Sequence, residues 1–337
     1  MVGAVIVREG RVVGEGYHRR VGGPHAEVWA LREAGRQAKG AVIYVSLEPC
    51  CHHGRTPPCT EALIEAGLGR VVAACLDPNP PVSGRGIRQL RAAGIEVEVG
   101  PLESEAKRLN AAYFKHTITG LPLVSLKAAM SLDGKIATST GESKWITGER
   151  ARAAAHRVRA SHDAVMIGVN TVLKDDPQLT VRKAKGRSPL RVVVDSQGRT
   201  ATRARLLNAD ERPPIIAVTR RAPQAKRRRL EQAGAQVWLV RSQKGFVDLK
   251  ALMERLGAEG IQSVLVEGGG TLAASALAAG LVDRVYFFIS PRIIGGSAAL
   301  TPVEGAGVKR LAEAWRIESV RVRRVGEDLL VTGDIAR

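Results

Sequence analysis

Apolar positions along the chain switch between two periods, and the switches predict its elements. VGAVIV and RVVGEG flank a polar turn at Arg8–Arg11, which predicts a β-hairpin. AEVWALREAG then sets Val28, Leu31 and Ala34 on one side of a helix. AVIYVSL predicts a buried strand, TEALIEAG a helix ended by Gly67, and RVVAACL another strand; IRQLRAAG and IEVEVG add a helix and a strand. After the Gly120-Leu121-Pro122 turn the pattern begins again with the apolar strand LPLVSLKAAMS. Strands at AVMIG, LRVVVD, PIIAVT, QVWLV, SVLVEGG and VDRVYFFI alternate with helical stretches such as ERARAAAHRVRA and DLKALMERLGAEG. The expectation is two α/β domains, residues 1–118 strand-rich and residues 122–337 built on a mostly parallel sheet.

Composition changes this picture little. At 337 residues and 45% apolar content, each half can bury its own core. No stretch reaches the roughly 18 uninterrupted apolar residues of a membrane span, and the N-terminus reads as a strand rather than a signal peptide. Four cysteines are too few for a disulfide scaffold; three within ten positions suit a metal or active site in a reducing cytoplasm. The net charge of +18 is uneven, +3 over residues 1–120 and +15 over the rest. Nucleic acid is the first partner such a balance brings up, yet no aromatic platform or helix-turn-helix pattern accompanies it. Phosphorylated small molecules answer the same charge, and KRRR at 226–229 reads as a solvated helix face. No nucleic-acid or membrane partner is expected.

The chemistry concentrates in two places. His25 stands in PHAEV with Glu27 two positions on, and Cys50 and Cys59 each follow a proline in SLEPCCHHGRTPPC. One imidazole and two thiolates are ligands that zinc prefers, and three protein ligands leave a fourth position for water. Cys51, His52 and His53 are spare donors that keep a closed, structural zinc site open as an alternative. Zinc deaminases carry H-x-E followed by P-C-x-x-C; here eight residues separate the cysteines instead of two. Zinc lowers the pKa of bound water, and Glu27 is placed to shuttle its proton. Further on, VEGGGTLAASAL offers a strand, a glycine turn and a helix whose amides can hold a phosphate, without the GxGxxG spacing of a dinucleotide fingerprint; a plain tight turn is the competing reading.

With PHAEV, SLEPCCHHGRTPPC, DPNPPVSGRG, LKAAMSLDGK, ESKWITG, NTVLKDDPQLTVR, VEGGGTLA and SPRIIGG in order, the chain resembles the bifunctional riboflavin-biosynthesis deaminase–reductase family over nearly its whole length. The resemblance implies a cytidine-deaminase-like three-layer domain followed by a dihydrofolate-reductase-like α/β domain. The first would remove the 2-amino group of 2,5-diamino-6-ribosylamino-4(3H)-pyrimidinone 5′-phosphate, and the second would reduce the product's ribosyl group to ribityl with NADPH. By the same resemblance His25, Cys50 and Cys59 hold zinc, Glu27 is catalytic, and His18, His52, Arg55, Thr56, Asp77 and Asn79 hold the first substrate. Substrate of the second step falls on Ser143, Arg159, Asp175, Leu179, Arg182 and Glu267, with Arg159 and Arg182 suited to fork onto the 5′-phosphate. NADPH falls on Ala129, Trp145, Thr171, Asp175, Ser196 and the loop Gly269, Gly270, Thr271, Leu272, Ala273, Ala274, Ser275. Lys127 lies near this region and can neutralise phosphate; Trp145 can alternatively be core, and the arginines surface residues. A homodimer or homotetramer through the reductase domain is also implied.

The chain departs from the family at its start. Family members ordinarily open with a helix and an Asn-Pro-x-Val-Gly turn, which Met1-Val2-Gly3 enters at its third position. An earlier natural start and a weakened deaminase half are the competing accounts. The expectation is a chain that binds zinc but deaminates poorly, with a reductase carrying an inactive scaffold as the alternative.

Overall fold

A computed structural model describes residues 2–20, 22–54, 56–208 and 212–336. The chain divides into two compact units, Met1–Thr119 and Gly120–Arg337. Among the described residues no helix is long and apolar enough to cross a membrane.

The first unit holds β1 (Gly3–Arg8), β2 (Arg11–Tyr17), α1 (Ala26–Ala34), β3 (Val42–Val45), α2 (Cys59–Glu65), β4 (Arg70–Ala73), α3 (Arg85–Ala92), β5 (Glu96–Val99), α4 (Glu103–Leu109) and α5 (Ala111–Thr119). Its sheet runs β2-β1-β3-β4-β5, with β1 antiparallel to both neighbours and β3, β4 and β5 parallel. Alternate residues Ala4, Ile6, Ile43, Val45, Val71 and Ala73 form one apolar face, packed with Ala26, Ala30 and Ala34 of α1, Leu63 of α2 and Ile87 and Leu90 of α3. Tyr44 of β3 is half exposed, so that strand is buried on one face only. The helices α4 and α5 cover a smaller cluster around Leu47 and Cys75. Glycine brings α1 unusually close to the hairpin: a Cβ at Gly14 would lie 2.3 Å from the Ala30 carbonyl oxygen, and one at Gly16 the same distance from that of Ala26.

The second unit holds β6 (Leu123–Ser131), α6 (Glu149–Ala160), β7 (Ala164–Gly168), α7 (Val169–Asp175), β8 (Leu190–Val194), β9 (Ile215–Val218), α8 (Gln224–Gln232), β10 (Gln236–Leu239), the short pair β11 (Ser242–Gln243) and β12 (Phe246–Val247), α9 (Leu249–Ala258), β13 (Ser263–Glu267), α10 (Gly270–Ala278), β14 (Arg284–Ser290), β15 (Ile317–Val325) and β16 (Asp328–Ile335). Its main sheet runs β10-β9-β8-β7-β13-β6-β14-β16-β15. Strands β10 through β14 in that order are parallel, and β16 and β15 close the edge antiparallel. The parallel strands are apolar on both faces, as such sheets require. Ala164, Met166, Val264 and Val266 face a core shared with α9 and α10, while Val165, Ile167, Ile216 and Val218 face one shared with α7 and α8. β13 inserts between β7 and β6, so the carboxyl ends of three strands distant in sequence meet at one place. Ligands of open α/β sheets bind at such ends.

Candidate functional site

In the first unit, His25 is the residue preceding α1 and Cys59 opens α2. Cys50 lies in the connection after β3. Packing these three segments on one sheet brings the His25 Nδ1 to 3.4 Å from Cys50 Sγ and 3.3 Å from Cys59 Sγ. The three donor atoms lie within 4.8 Å of one another. Tetrahedral zinc, with bonds of about 2.3 Å to sulfur and 2.0–2.1 Å to nitrogen, asks for sulfur–nitrogen separations of about 3.6 Å. The donor set therefore fits zinc in both chemistry and spacing.

The electrostatics agree. The backbone N–H of Cys59 donates to Cys50 Sγ at 3.3 Å. Hydrogen bonding from Cys59 draws the Cys50 thiol down to about 4, while Cys50 in return pushes the Cys59 thiol up. Two sulfurs this close share one negative charge, and a divalent cation is what allows both to be thiolates. Glu27, in the first turn of α1, is 3% exposed, and its Oε2 has no hydrogen-bond partner. Burial pushes its carboxyl up to about 6. A buried, unpartnered carboxyl oxygen beside a metal-binding cluster is costly to maintain unless a reacting group meets it.

Neighbouring groups orient this centre. Thr56 Oγ1 is 3.3 Å from the second ring nitrogen of His25. His18 packs edge-on against His25 with ring centres 5.3 Å apart, and its Nδ1 is buried without a partner. Asp77 is buried and accepts from the Asn79 backbone N–H and the Tyr113 hydroxyl, both at 2.8 Å. Burial pushes the Asp77 carboxyl up, against the pull of its hydrogen bonds to Asn79 and Tyr113; His52 is exposed. Arg55 lies outside the described residues. The spare donors stay apart: Cys51 Sγ points at the Pro81 carbonyl, and exposed His53 is 3.8 Å from Glu61. Among the described residues the metal-binding group is His25, Cys50 and Cys59 alone.

In the second unit, two cavities open at the carboxyl ends of the parallel strands and share Thr171 and Gly269. One, of about 260 Å³, is lined by Lys127, Ala129, Arg159, Thr171, Asp175, Leu179, Glu267, Gly269 and Ala273, among others. At its base the β13–β6 register sets Glu267 opposite Lys127. Glu267 meets Lys127 Nζ at 3.2 Å and Arg159 Nε and Nη2 at 3.0 and 2.9 Å. Although burial works against it, these two cations hold the Glu267 carboxyl well below the usual carboxylate range. Arg159 gives its remaining arm to the Thr180 carbonyl at 2.7 Å. Its fork thus meets Glu267 in a largely buried setting, which removes the surface-arginine alternative.

The second cavity, about 380 Å³, is lined by Ser196, Thr171, Gly269, Thr271, Leu272 and Ser275, joined by Asn170, Arg199 and Phe246, which the sequence pattern did not single out. Gly270 and Ala274 face the segment 301–305 instead: a Cβ at Gly270 would meet the Thr301 carbonyl at 2.4 Å, and Ala274 abuts Gly305. Ser143 and Trp145 lie in the 138–148 loop, outside both linings. Trp145 is 63% exposed with Arg152 over its ring, which removes the core alternative. Arg182 is exposed, hydrogen bonds Gln178, and donates its backbone N–H to His156 Nδ1. A third cavity, at the amino ends of β7 and β8, is lined by Asp163, Arg187 and Arg191 and lacks these groups.

Comparison with known proteins agrees with this division. Residues 1–75 match the cytidine and deoxycytidylate deaminase zinc-binding region, and residues 122–331 match the RibD C-terminal domain. The riboflavin biosynthesis protein RibD of Aquifex aeolicus is 45% identical over 331 residues, covering 98% of this chain and 90% of that protein. The solved structure of Acinetobacter baumannii RibD superposes with a TM-score of 0.87 at 40% identity, covering 100% of this chain and 92% of the other. A diaminohydroxyphosphoribosylaminopyrimidine deaminase/5-amino-6-(5-phosphoribosylamino)uracil reductase from Thermotoga maritima superposes at 0.85 with 36% identity, covering 99% and 92%.

Proposed function

The chain belongs to the RibD family of bifunctional riboflavin-biosynthesis enzymes, with a deaminase unit followed by a reductase unit, and from that premise we propose how its residues divide the two reactions. It catalyses two consecutive steps, deamination and then reduction. We assign the first to the phosphorylated diaminopyrimidine named above and the second to its deaminated product. The observation that carries the reading is the His25–Cys50–Cys59 group with the unpartnered Glu27 oxygen beside it.

In the first unit His25, Cys50 and Cys59 would hold zinc, whose contribution when bound is to acidify water. Glu27 takes a proton from the attacking water and returns protons to the ring nitrogen and the departing amine, so that water enters at C2 and ammonia leaves. Thr56 fixes the His25 ring through its second nitrogen. His18, His52, Arg55, Asp77 and Asn79 complete the substrate contacts in this proposal.

In the second unit NADPH would supply a hydride to the ribosyl C1, and the protein's task is alignment. The cavity with Lys127, Asp175 and Glu267 takes the sugar end, and the one with Ser196, Thr271 and Ser275 the adenosine end; Thr171 and Gly269 line both. Lys127 has three donors, one of which meets Glu267, so it can also meet a ribosyl or phosphate oxygen. Arg182 is the exposed cation proposed for the 5′-phosphate, with Ser143, Leu179 and Trp145 at the substrate and nicotinamide edges. Self-association through this unit and a cytoplasmic setting belong to the same proposal; the edge strand β15 supports the former, since it exposes Val320 and Val322.

A coupled assay tests the whole. Phosphorylated diaminopyrimidine is supplied with and without NADPH, ammonia and NADPH are followed separately, and zinc is counted per chain. The expected result is ammonia release without NADPH, then NADPH oxidation dependent on it. NADPH oxidation only when deaminated product is supplied would leave a reductase on an inactive scaffold.

A further inference from the structure

Glu48 belongs to neither the metal set nor the substrate positions, yet its carboxylate is 3% exposed two residues from the ligand Cys50. Its Oε2 accepts the backbone N–H groups of Asp77 at 3.2 Å and Gly84 at 2.9 Å, and its Oε1 accepts that of Ile87 at 3.2 Å. Gly84 is the residue preceding α3 and has no side chain with which to cap it. The helix start is therefore satisfied from another segment, by a charge that also suits its dipole.

A second contact ties the same segments independently. A Cβ at Gly86 would stand 2.2 Å from the Pro49 carbonyl oxygen, so the first turn of α3 lies directly against the backbone of the ligand segment. Between the two, Cys51 Sγ lies 3.7 Å from the Pro81 carbonyl. Residues 77–84 are thus fastened to residues 48–51 at both ends and near the middle. They carry Asp77 and Asn79, assigned above to the substrate.

We infer that Glu48 is a positioning residue for deamination, holding the 77–84 segment in register with the metal-binding segment so that substrate contacts and metal address one molecule. The inference rests on the deaminase reading of this unit. Three converging N–H donors explain why a carboxylate occupies this place. Its two oxygens offer about four acceptor sites and no donor, whereas an amide would turn an NH₂ toward at least one N–H.

The test uses the full-length, zinc-loaded protein with E48Q, and with G86A to disturb the same helix start from its other contact. Both are expected to raise KM for the phosphorylated diaminopyrimidine about tenfold or more with a smaller change in kcat, the size of a lost charge-assisted hydrogen bond. Zinc stays at the wild-type ratio, NADPH-dependent reduction of supplied deaminated product is unchanged, and in E48Q amide exchange accelerates at Asp77, Gly84 and Ile87. Unchanged KM in E48Q despite faster exchange at those amides overturns the inference. So does loss of zinc with kcat reduced and KM retained, which marks a merely structural role. Wild-type protein that binds the pyrimidine but releases no ammonia would instead sink the deaminase reading, and pyrimidine affinity in E48Q would then decide the positioning role.

Discussion

Glu27 and Glu267 are the same residue type, both withdrawn from solvent in the centre of their units, and they have opposite electrostatic fates. Glu27 keeps an oxygen without a partner, and burial pushes its carboxyl up to about 6. Glu267 is clamped between Lys127 and Arg159 and stays ionised far into the acid range. The first is poised to exchange a proton; the second is a fixed charge that shapes a cavity and holds β13, β6 and α6 together. What separates a proton carrier from a strut is the company each keeps.

Replacing each acid by its amide makes this contrast measurable. Glu27→Gln should lower the rate of ammonia release by about 10²–10⁴-fold, the range of a lost general acid–base, while zinc content and NADPH-dependent reduction stay at wild-type values. Zinc loss in this variant would move Glu27 from the proton path to the metal's support. Glu267→Gln should act on stability instead, because Lys127 and Arg159 would be left with uncompensated charge. Breaking such a buried pair costs about 3–5 kcal/mol, roughly a 10 °C fall in the melting temperature of a unit this size. Deamination should persist at temperatures where the second unit has melted. The Glu267 contribution is present above the ordinary carboxylate pKa and is lost only as pH falls through its depressed folded value. Wild-type reductase stability should therefore carry an acid-dependent component that Glu267→Gln lacks.

The two centres also differed in how far the sequence exposed them. His25, Cys50 and Cys59 were legible because their residue types are rare, the two cysteines are close in sequence, and each of the three adjoins a predicted helix start or a proline. The structural-zinc alternative fell to something no spacing shows, namely that Cys51 and His53 point to Pro81 and Glu61. The Glu267–Lys127–Arg159 clamp was hidden: its members are separated by as much as 140 positions and meet only through the β13–β6 register and the placement of α6. The parallel strands were legible as continuous apolar runs. The helices α4 and α5 drew no prediction, since their apolar residues cover only a small cluster. Trp145 could not be placed from composition, because exposure of an aromatic is set by what packs over it.

A milder change sharpens the metal side. Thr56 Oγ1 meets the His25 ring nitrogen that faces away from the sulfurs. Thr56→Val keeps the shape and removes that hydrogen bond, so zinc affinity should fall about 10-fold, toward the lower end of the usual effect of such supporting groups. Competition with a chelator of known affinity measures it. Unchanged affinity together with a raised KM for the pyrimidine would place Thr56 on the substrate alone.

The smallest effect concerns a neighbour of the clamp. His156 accepts the Arg182 backbone N–H at its Nδ1, an arrangement that requires the unprotonated nitrogen, and partial burial followed by the nearby Arg159 pushes its pKa down to about 4. A histidine depressed in the folded state binds its proton more readily when unfolded, so its contribution is complete above the ordinary value near 6.5 and fades between there and about 4. The side chain is only partly buried, and screening limits the contribution to below about 1 kcal/mol. His156→Gln retains an acceptor for Arg182 and removes the titration. Melting temperatures at pH 7.5 and pH 5 should then differ less in the variant than in the wild type, by about 2–3 °C at most. An identical pH difference in both proteins would remove His156 as a source of this unit's acid sensitivity between pH 7.5 and pH 5; Glu267 acts only below that range.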